Sequence, residues 1–219
     1  TLEASEGTCL SDPIELGTVT ATGGCSSTDE LVITNDAPEQ FPVGETLVTW
    51  TATDSCGNFS QCYQTVRVSD HEPPSFSPPA PITACVESIF EAVYNSETGD
   101  INPGRPEYYR FPAGHTALDL TDMTDNCCAA NDMTLHWQID FDPTPELSPP
   151  HDPISKSSIS GTGQLSTYGS DILFPGDGVT FMNVEHTISY WLTDCNNNTT
   201  GIQTTTFTVT PRPNIIKMQ

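Results

Sequence analysis

Basic side chains are scarce in this sequence: 6 Lys and Arg stand against 29 Asp and Glu, a formal net charge of −23. A surface so acidic repels phosphate backbones, which excludes nucleic-acid binding. Long apolar runs are absent too, and nothing approaches the roughly 20 residues of a membrane-spanning helix. No segment sustains a 3.6-residue apolar period. The nearest helix candidate, Val86 to Tyr94, is short and reads equally well as a strand. No two cysteines have the two-residue gap of a zinc knuckle or a thioredoxin-type site. The chain opens Thr1-Leu2-Glu3 with no signal peptide, so export implies excision from a longer precursor.

What is present is 8 Cys, 19 Pro and 15 Gly in 219 residues. An even, high cysteine count predicts four disulfides and an oxidising, extracytoplasmic location. All eight are assigned to bridges: Cys9, Cys25, Cys56, Cys62, Cys85, Cys127, Cys128 and Cys195. Buried reduced thiols in a cytosolic protein are the alternative.

The two halves repeat. Glu45 to Asp54 aligns without a gap to Glu185 to Asp194, so that Val48, Trp50 and Ala52 correspond to Ile188, Tyr190 and Leu192. Alternation of period two marks a half-buried strand. Each strand enters a turn-rich segment, Ser55-Cys56-Gly57-Asn58 or Cys195-Asn196-Asn197-Asn198. Each is followed by a Thr-rich strand, Tyr63–Val68 or Thr204–Val209. This predicts one antiparallel hairpin per half. Phe41-Pro42 and Phe174-Pro175 precede the two hairpins.

Pro73, Pro74, Pro78, Pro79 and Pro81 mark a stiff, extended connection between the copies. The expected organisation is a first domain over 1–72, a linker over 73–79, a second domain over 80–212 and a C-terminal linker over 213–219. Both halves are acidic, with 1 basic and 12 acidic residues through Pro74 and 5 and 17 beyond it. Many short strands in two copies predict an all-β protein of two tandem immunoglobulin-like β-sandwich domains. The excess length of the second domain falls in Asn95–Phe111 and Asp142–Tyr168, read as surface loops.

The stretch Phe41 to Asn58 and its ending Val68-Ser-Asp-His-Glu-Pro-Pro74, with Leu16-Gly17 and Thr34 to Pro38, resembles a hyalin-repeat (HYR) domain. The second half resembles immunoglobulin-like modules near the C-termini of Bacteroidetes cell-surface proteins. It does so through Cys85 to Ile89, Thr124 to Cys127, His186 to Trp191, Thr193 to Cys195 and Pro211 to Ile215. Such modules precede sorting domains for type IX secretion or belong to gliding-motility adhesins. The resemblance implies an adhesive or stalk role with no catalytic activity.

Within the first half the hairpin suggests Cys56–Cys62, leaving Cys9–Cys25 to close the N-terminal strands. In the second half a bridge between adjacent Cys127 and Cys128 would be strained. Each is expected to pair outward, to Cys85 and Cys195. Aligning Cys127 with Cys25 favours Cys85–Cys127 and Cys128–Cys195, and the swapped arrangement stays open.

Calcium is the sharpest functional candidate. Asp70 and Glu72 from the linker, Asp125 from the loop Asp119–Asn126, and Asp194, Asn196 and Asn198 from the second hairpin tip supply oxygen ligands for a hard cation. The tip is expected at the pole facing the linker. Asp and Asn are also ordinary turn formers.

No catalytic residue is assigned. The five His are scattered, and neither a nucleophile elbow nor a phosphate loop is present. Asp140 and Asp142 form an acidic pair of the kind chance supplies in so acidic a chain. Tyr108, Tyr109, Phe111 and Trp137 could form a sugar-stacking platform, against the reading that Trp50, Trp137 and Trp191 fill the cores. The sequence thus predicts an extracellular, bacterial cell-surface spacer that presents neighbouring domains of its own polypeptide. The alternative is a ligand-binding module for a glycan or a protein, with calcium.

Overall fold

The computed structural model describes residues 1–25, 31–85, 108–140, 158–169, 172–175 and 183–210. Among the described residues there are eleven strands, in chain order: β1 (Leu2–Glu3), β2 (Val32–Asn35), β3 (Gly44–Thr53), β4 (Phe59–Ser69), β5 (Ile82–Cys85), β6 (Tyr108–Phe111), β7 (Thr134–Asp140), β8 (Ser158–Thr162), β9 (Ile172–Pro175), β10 (Val184–Thr193) and β11 (Gln203–Thr210). The chain is all-β, as two tandem sandwich-type domains require, and among the described residues the only helical turns are short 3-10 segments.

The chain divides into two compact units. Unit 1 comprises Thr1–Pro73 and also two segments from later in the sequence, Asp125–Ala129 and Asp194–Asn198. Its sheet has the order β1-β4-β3-β2. β3 and β4 form the expected hairpin, with Val48 opposite Gln64 and Thr53 opposite Phe59. β1 adds parallel to β4. The pleat sends Val48, Val66 and Val68 to one face, where they bury with Phe41. Ile14 and Leu16, on irregular chain, pack against the same cluster. The opposite face keeps Leu47, Phe59 and Tyr63 exposed.

Unit 2 is a sandwich of a five-stranded sheet, β5-β11-β10-β7-β8, and the pair β6-β9. β10 and β11 form the second hairpin. Strict alternation along β10 buries Val184, His186, Ile188, Tyr190 and Leu192. Phe174 stacks on Phe207 with ring centroids 4.1 Å apart, and Phe111 meets Phe207 edge-on at 6.1 Å. The Tyr190 hydroxyl donates to the Leu118 carbonyl at 2.9 Å, and burial, with the Asp119 charge nearby, pushes its phenol pKa up. A β-carbon at Gly161 on β8 would lie 2.5 Å from the buried Trp137 ring, so this strand passes where no side chain fits.

Several expectations change here. Tyr108–Phe111 and Ser158–Thr162, expected within loops, are strands. Phe111 supplies an aromatic that the core takes up, and Ser158–Thr162 completes a ladder beside β7. The proline-rich stretch is not bare connection either. Phe76 buries in the unit 2 core, Gln203 donates to its carbonyl at 3.1 Å, and Ser75 bridges Thr124. An aromatic ring among prolines gains more from burial than from exposure. Trp191 was expected in a core. It lies instead on the outer face of its sheet, stacked on His136 with ring centroids 5.4 Å apart. The period-2 pattern demands this, because Tyr190 and Leu192 occupy the inward positions. The Val86–Tyr94 candidate and most of the two expected loops lie outside the described residues.

Candidate cation site in unit 1

The repeat in the sequence becomes a repeat of one turn. Asp54 Oδ1 accepts from the Cys56 and Asn58 amides at 3.0 and 2.8 Å, and its Oδ2 from Asn58 Nδ2 at 3.0 Å. Asp194 Oδ1 likewise accepts from the Asn196 and Asn198 amides, both at 2.8 Å, and its Oδ2 from Asn198 Nδ2 at 2.8 Å. In each, Asp and the Asn four residues on also close a backbone bond at 3.0 Å. The chain reverses through a positive φ, at Gly57 (85°) and Asn197 (69°). The carboxylate replaces the sheet partners that a five-residue turn cannot supply.

The two turns differ in their surroundings. Asp54 is half-buried among exposed turn residues, and the Asn58 amide holds its carboxyl below the ordinary value of 3.8. A depressed folded pKa means that its contribution is complete above the unfolded value and fades as pH falls through the folded one. The Asp54 carboxyl resonance should therefore titrate below 3.8 in a pH series by NMR, and Asn58→Ala should return it towards that value. Asp194 is buried, as is Asp70, and the Asn198 side-chain amide donates to both carboxylates.

Asp70 organises the site. Its Oδ1 accepts from the Glu72 amide at 3.1 Å and from Asn126 Nδ2 at 3.4 Å. Its Oδ2 accepts from Asn196 Nδ2 at 3.1 Å and Asn198 Nδ2 at 3.4 Å, and its carbonyl also accepts from Asn198 Nδ2 at 3.3 Å. Asp125 caps the adjoining turn, its Oδ2 accepting from the Cys127 and Cys128 amides at 2.7 Å each. One carboxylate oxygen each from Asp125 and Asp194 and the Cys128 sulfur lie within 4.8 Å of one another.

Five of the six expected ligands are therefore gathered: Asp70, Asp125, Asp194, Asn196 and Asn198. Glu72 contributes its amide, while its carboxylate accepts from the Gly7 amide at 2.8 Å. Asn126 was missed. It donates to the Thr8 carbonyl at 2.9 Å as well as to Asp70, and its place beside Asp125 in an Asx-rich turn was the available signal.

The donor set fits a hard cation on a further ground. Asp125 Oδ1 and Asn126 Oδ1 are both hidden from solvent and accept no hydrogen bond. Buried carboxylates ordinarily have a cation or a full set of donors. The Arg67–Glu45 ion pair is exposed on the β3–β4 hairpin and leaves these carboxylates unneutralised. A half-turn of each Asn amide would present oxygen in place of nitrogen.

Three disulfides close unit 1: Cys9–Cys127, Cys25–Cys56 and Cys128–Cys195. The expected Cys9–Cys25 and Cys56–Cys62 pairs are not made. Cys56 sits in the turn, whereas Cys62 lies opposite Trp50, three residues beyond the first paired rung of β4. That is about 10 Å along a strand, too far for a bridge. Cys62 is free and exposed. Cys128–Cys195 matches one of the two arrangements left open, but Cys127 takes Cys9, not Cys85. The Cys85 side chain lies outside the described residues. Cys25, Asp54 and Cys56 also converge, but both sulfurs are committed to their bridge.

The other candidates disperse. Phe111 and Trp137 are buried, as the core-filling reading expects of Trp137, and neither is free to join a sugar-stacking platform; the side chains of Tyr108 and Tyr109 lie outside the described residues. Asp140 accepts from Gln138 Nε2 at 2.8 Å, and Asp142 lies outside the described residues.

Residues 14–68 match the HYR domain family model. This is an extracellular, non-enzymatic domain type, and the three disulfides fit the same setting. No curated protein matches the chain. Among solved structures it is similar to a "Protocadherin gammaB7 EC3-6 cis-dimer structure", with 13% identity and a TM-score of 0.30. The match covers 85% of this chain and 40% of that one. Among the described residues no helix is long and apolar enough to cross a membrane.

Proposed function

We propose that this chain is a structural, adhesive spacer of a secreted or surface-anchored bacterial protein, presenting neighbouring domains of the same polypeptide. The observation that carries this reading is the covalent closure of unit 1. Three disulfides tie its N-terminal chain and two later segments together. The HYR match supports an extracellular, non-catalytic role. The resemblance of the second half to Bacteroidetes surface modules supports a type IX secretion or gliding-motility setting. Glycan arrays and turnover assays on polysaccharides and peptides should show neither saturable binding nor product. Robust turnover would end the reading.

Calcium belongs to the same proposal. Asp70, Asp125 and Asp194 supply charge, and Asn126, Asn196 and Asn198 supply amide oxygens, a set suited to a large, flexible coordination sphere. Calorimetric titration of the chelator-treated chain with Ca2+ should show saturable heat. At a hundredfold excess over Kd the ion should add about 2.7 kcal/mol of stability. Asp70→Asn should abolish both. An unchanged melting temperature and no heat would remove the site.

A ligand-binding role is the second reading, favoured by the Trp191–His136 stack. It lies on the outer face of the unit 2 sheet, where Thr193 Oγ1 meets His136 Nε2 at 3.3 Å. Glycan-array signal lost in Trp191→Ala would select it.

A further inference from the structure

From the order of the bridges along the chain, we infer that two of the disulfides form a covalent load path around nearly all of the folded strands. Cys9 is bonded to Cys127, the next residue is Cys128, and Cys128 is bonded to Cys195. Tension entering before Cys9 and leaving after Cys195 crosses the first bridge, one peptide link and the second bridge. Strands β2 to β6 lie inside the first ring, and β7 to β10 inside the second. Once β1 and β11 have detached from their neighbours, none of these nine strands carries the load. Adjacent cysteines that each pair outward make this possible, because they leave a single peptide bond between the rings.

The strands outside the rings are β1 and β11. β11 is held by seven register pairs to β10 and four to β5, so it is the main folded element in series with the force. The load path runs through residues 1–9, 127–128 and 195–219, which is 36 of the 219 residues. At about 3.5 Å per residue, the oxidised chain can extend to about 130 Å and the reduced chain to about 770 Å. The device is redox-sensitive, since reduction of either bridge brings its ring under load, save the part of the first that Cys25–Cys56 closes. Its purpose rests on the spacer reading, while the path itself follows from connectivity.

Force-clamp extension of the full chain, held through handles at Thr1 and Gln219, tests it with dithiothreitol as the reductant. A reductant thiolate attacks one protein sulfur, forming a mixed disulfide and releasing the other as a thiolate. The second reductant thiol then closes its own cyclic disulfide and frees the first protein sulfur. Without reductant the chain should stop near 130 Å. With it, opening Cys9–Cys127 should add about 300 Å, because residues 26–55 stay sheltered by Cys25–Cys56. Opening Cys128–Cys195 should add about 230 Å. A step of about 105 Å, from Cys25–Cys56, should come only after the first. Cys9→Ser with Cys127→Ser should give the 300 Å gain without reductant, whether or not unit 1 still folds. Extension beyond about 200 Å in the oxidised wild type, or steps of other sizes, would overturn the load path. The spacer reading is judged separately, by the binding and turnover assays above.

Discussion

Phe207→Ala is expected to destabilise unit 2 by about 3–5 kcal/mol. Phe207 is fully buried on β11, stacked on Phe174 and meeting Phe111 edge-on. Removing it takes away the transfer energy of the ring and leaves a hole bounded by two other aromatics. Those rings belong to β6 and β9, so the variant strikes where the small sheet meets the large one. Urea unfolding followed by tryptophan fluorescence should show a midpoint lowered by one molar or more. Phe59→Ala serves as the control: Phe59 is 69% exposed, and its loss should change stability by less than about 0.5 kcal/mol. A similar effect for both would mean that the β6–β9 pair does not cover the core as described.

Asp194→Ala is the second substitution of large effect, expected to cost unit 1 about 3 kcal/mol. Asp194 is 5% exposed and accepts from two backbone amides and one side-chain amide. Alanine leaves those donors without their acceptor in a place water reaches poorly, so the desolvation cost is not recovered. Asn198 also loses the anchor that aims it at Asp70. The corresponding Asp54→Ala should cost clearly less, because solvent can satisfy the exposed amides of that turn. Thermal melts of both variants, with and without Ca2+, check this. Asp194→Ala should lose the calcium-linked rise in melting temperature, and Asp54→Ala should keep it. Equal losses would mean that burial does not separate the two turns.

The hairpins were legible because two local signals agreed. Alternation in Val48-Thr-Trp-Thr-Ala52 and Ile188-Ser-Tyr-Trp-Leu192 set the inward faces, and the Asp-x-x-x-Asn turns set where the chain reverses. The inward face of the second copy correctly held Tyr190 and Leu192, and the same pattern applied strictly places Trp191 outside. β6 and β8 were not legible. A four- or five-residue strand such as Ser158–Thr162 has no apolar alternation of its own and exists because β7 offers it a ladder. Phe76 was hidden for a related reason. Proline density identifies an extended chain, but a neighbouring core decides whether its one aromatic is buried.

The candidate site was half legible. Asp and Asn at turns supply oxygen whatever the fold, so Asp70, Asp125, Asp194, Asn196 and Asn198 were identifiable by type. That Asp70 accepts from three asparagine amides depends on residues 126 and 128 positions apart along the chain for two of them.

Composition and local pattern alone determined that this chain is acidic, rich in cysteine and built from strands, with one hairpin and one Asx turn repeated. These follow from side-chain chemistry and from the two-residue period of a strand, which act over a few residues. Only the tertiary structure decided which cysteines meet and which of the two equivalent aspartates is buried. Pairing of Cys9 with Cys127 spans 118 positions. No local preference encodes such a distance; it is fixed when packed sheets bring remote turns within bonding reach.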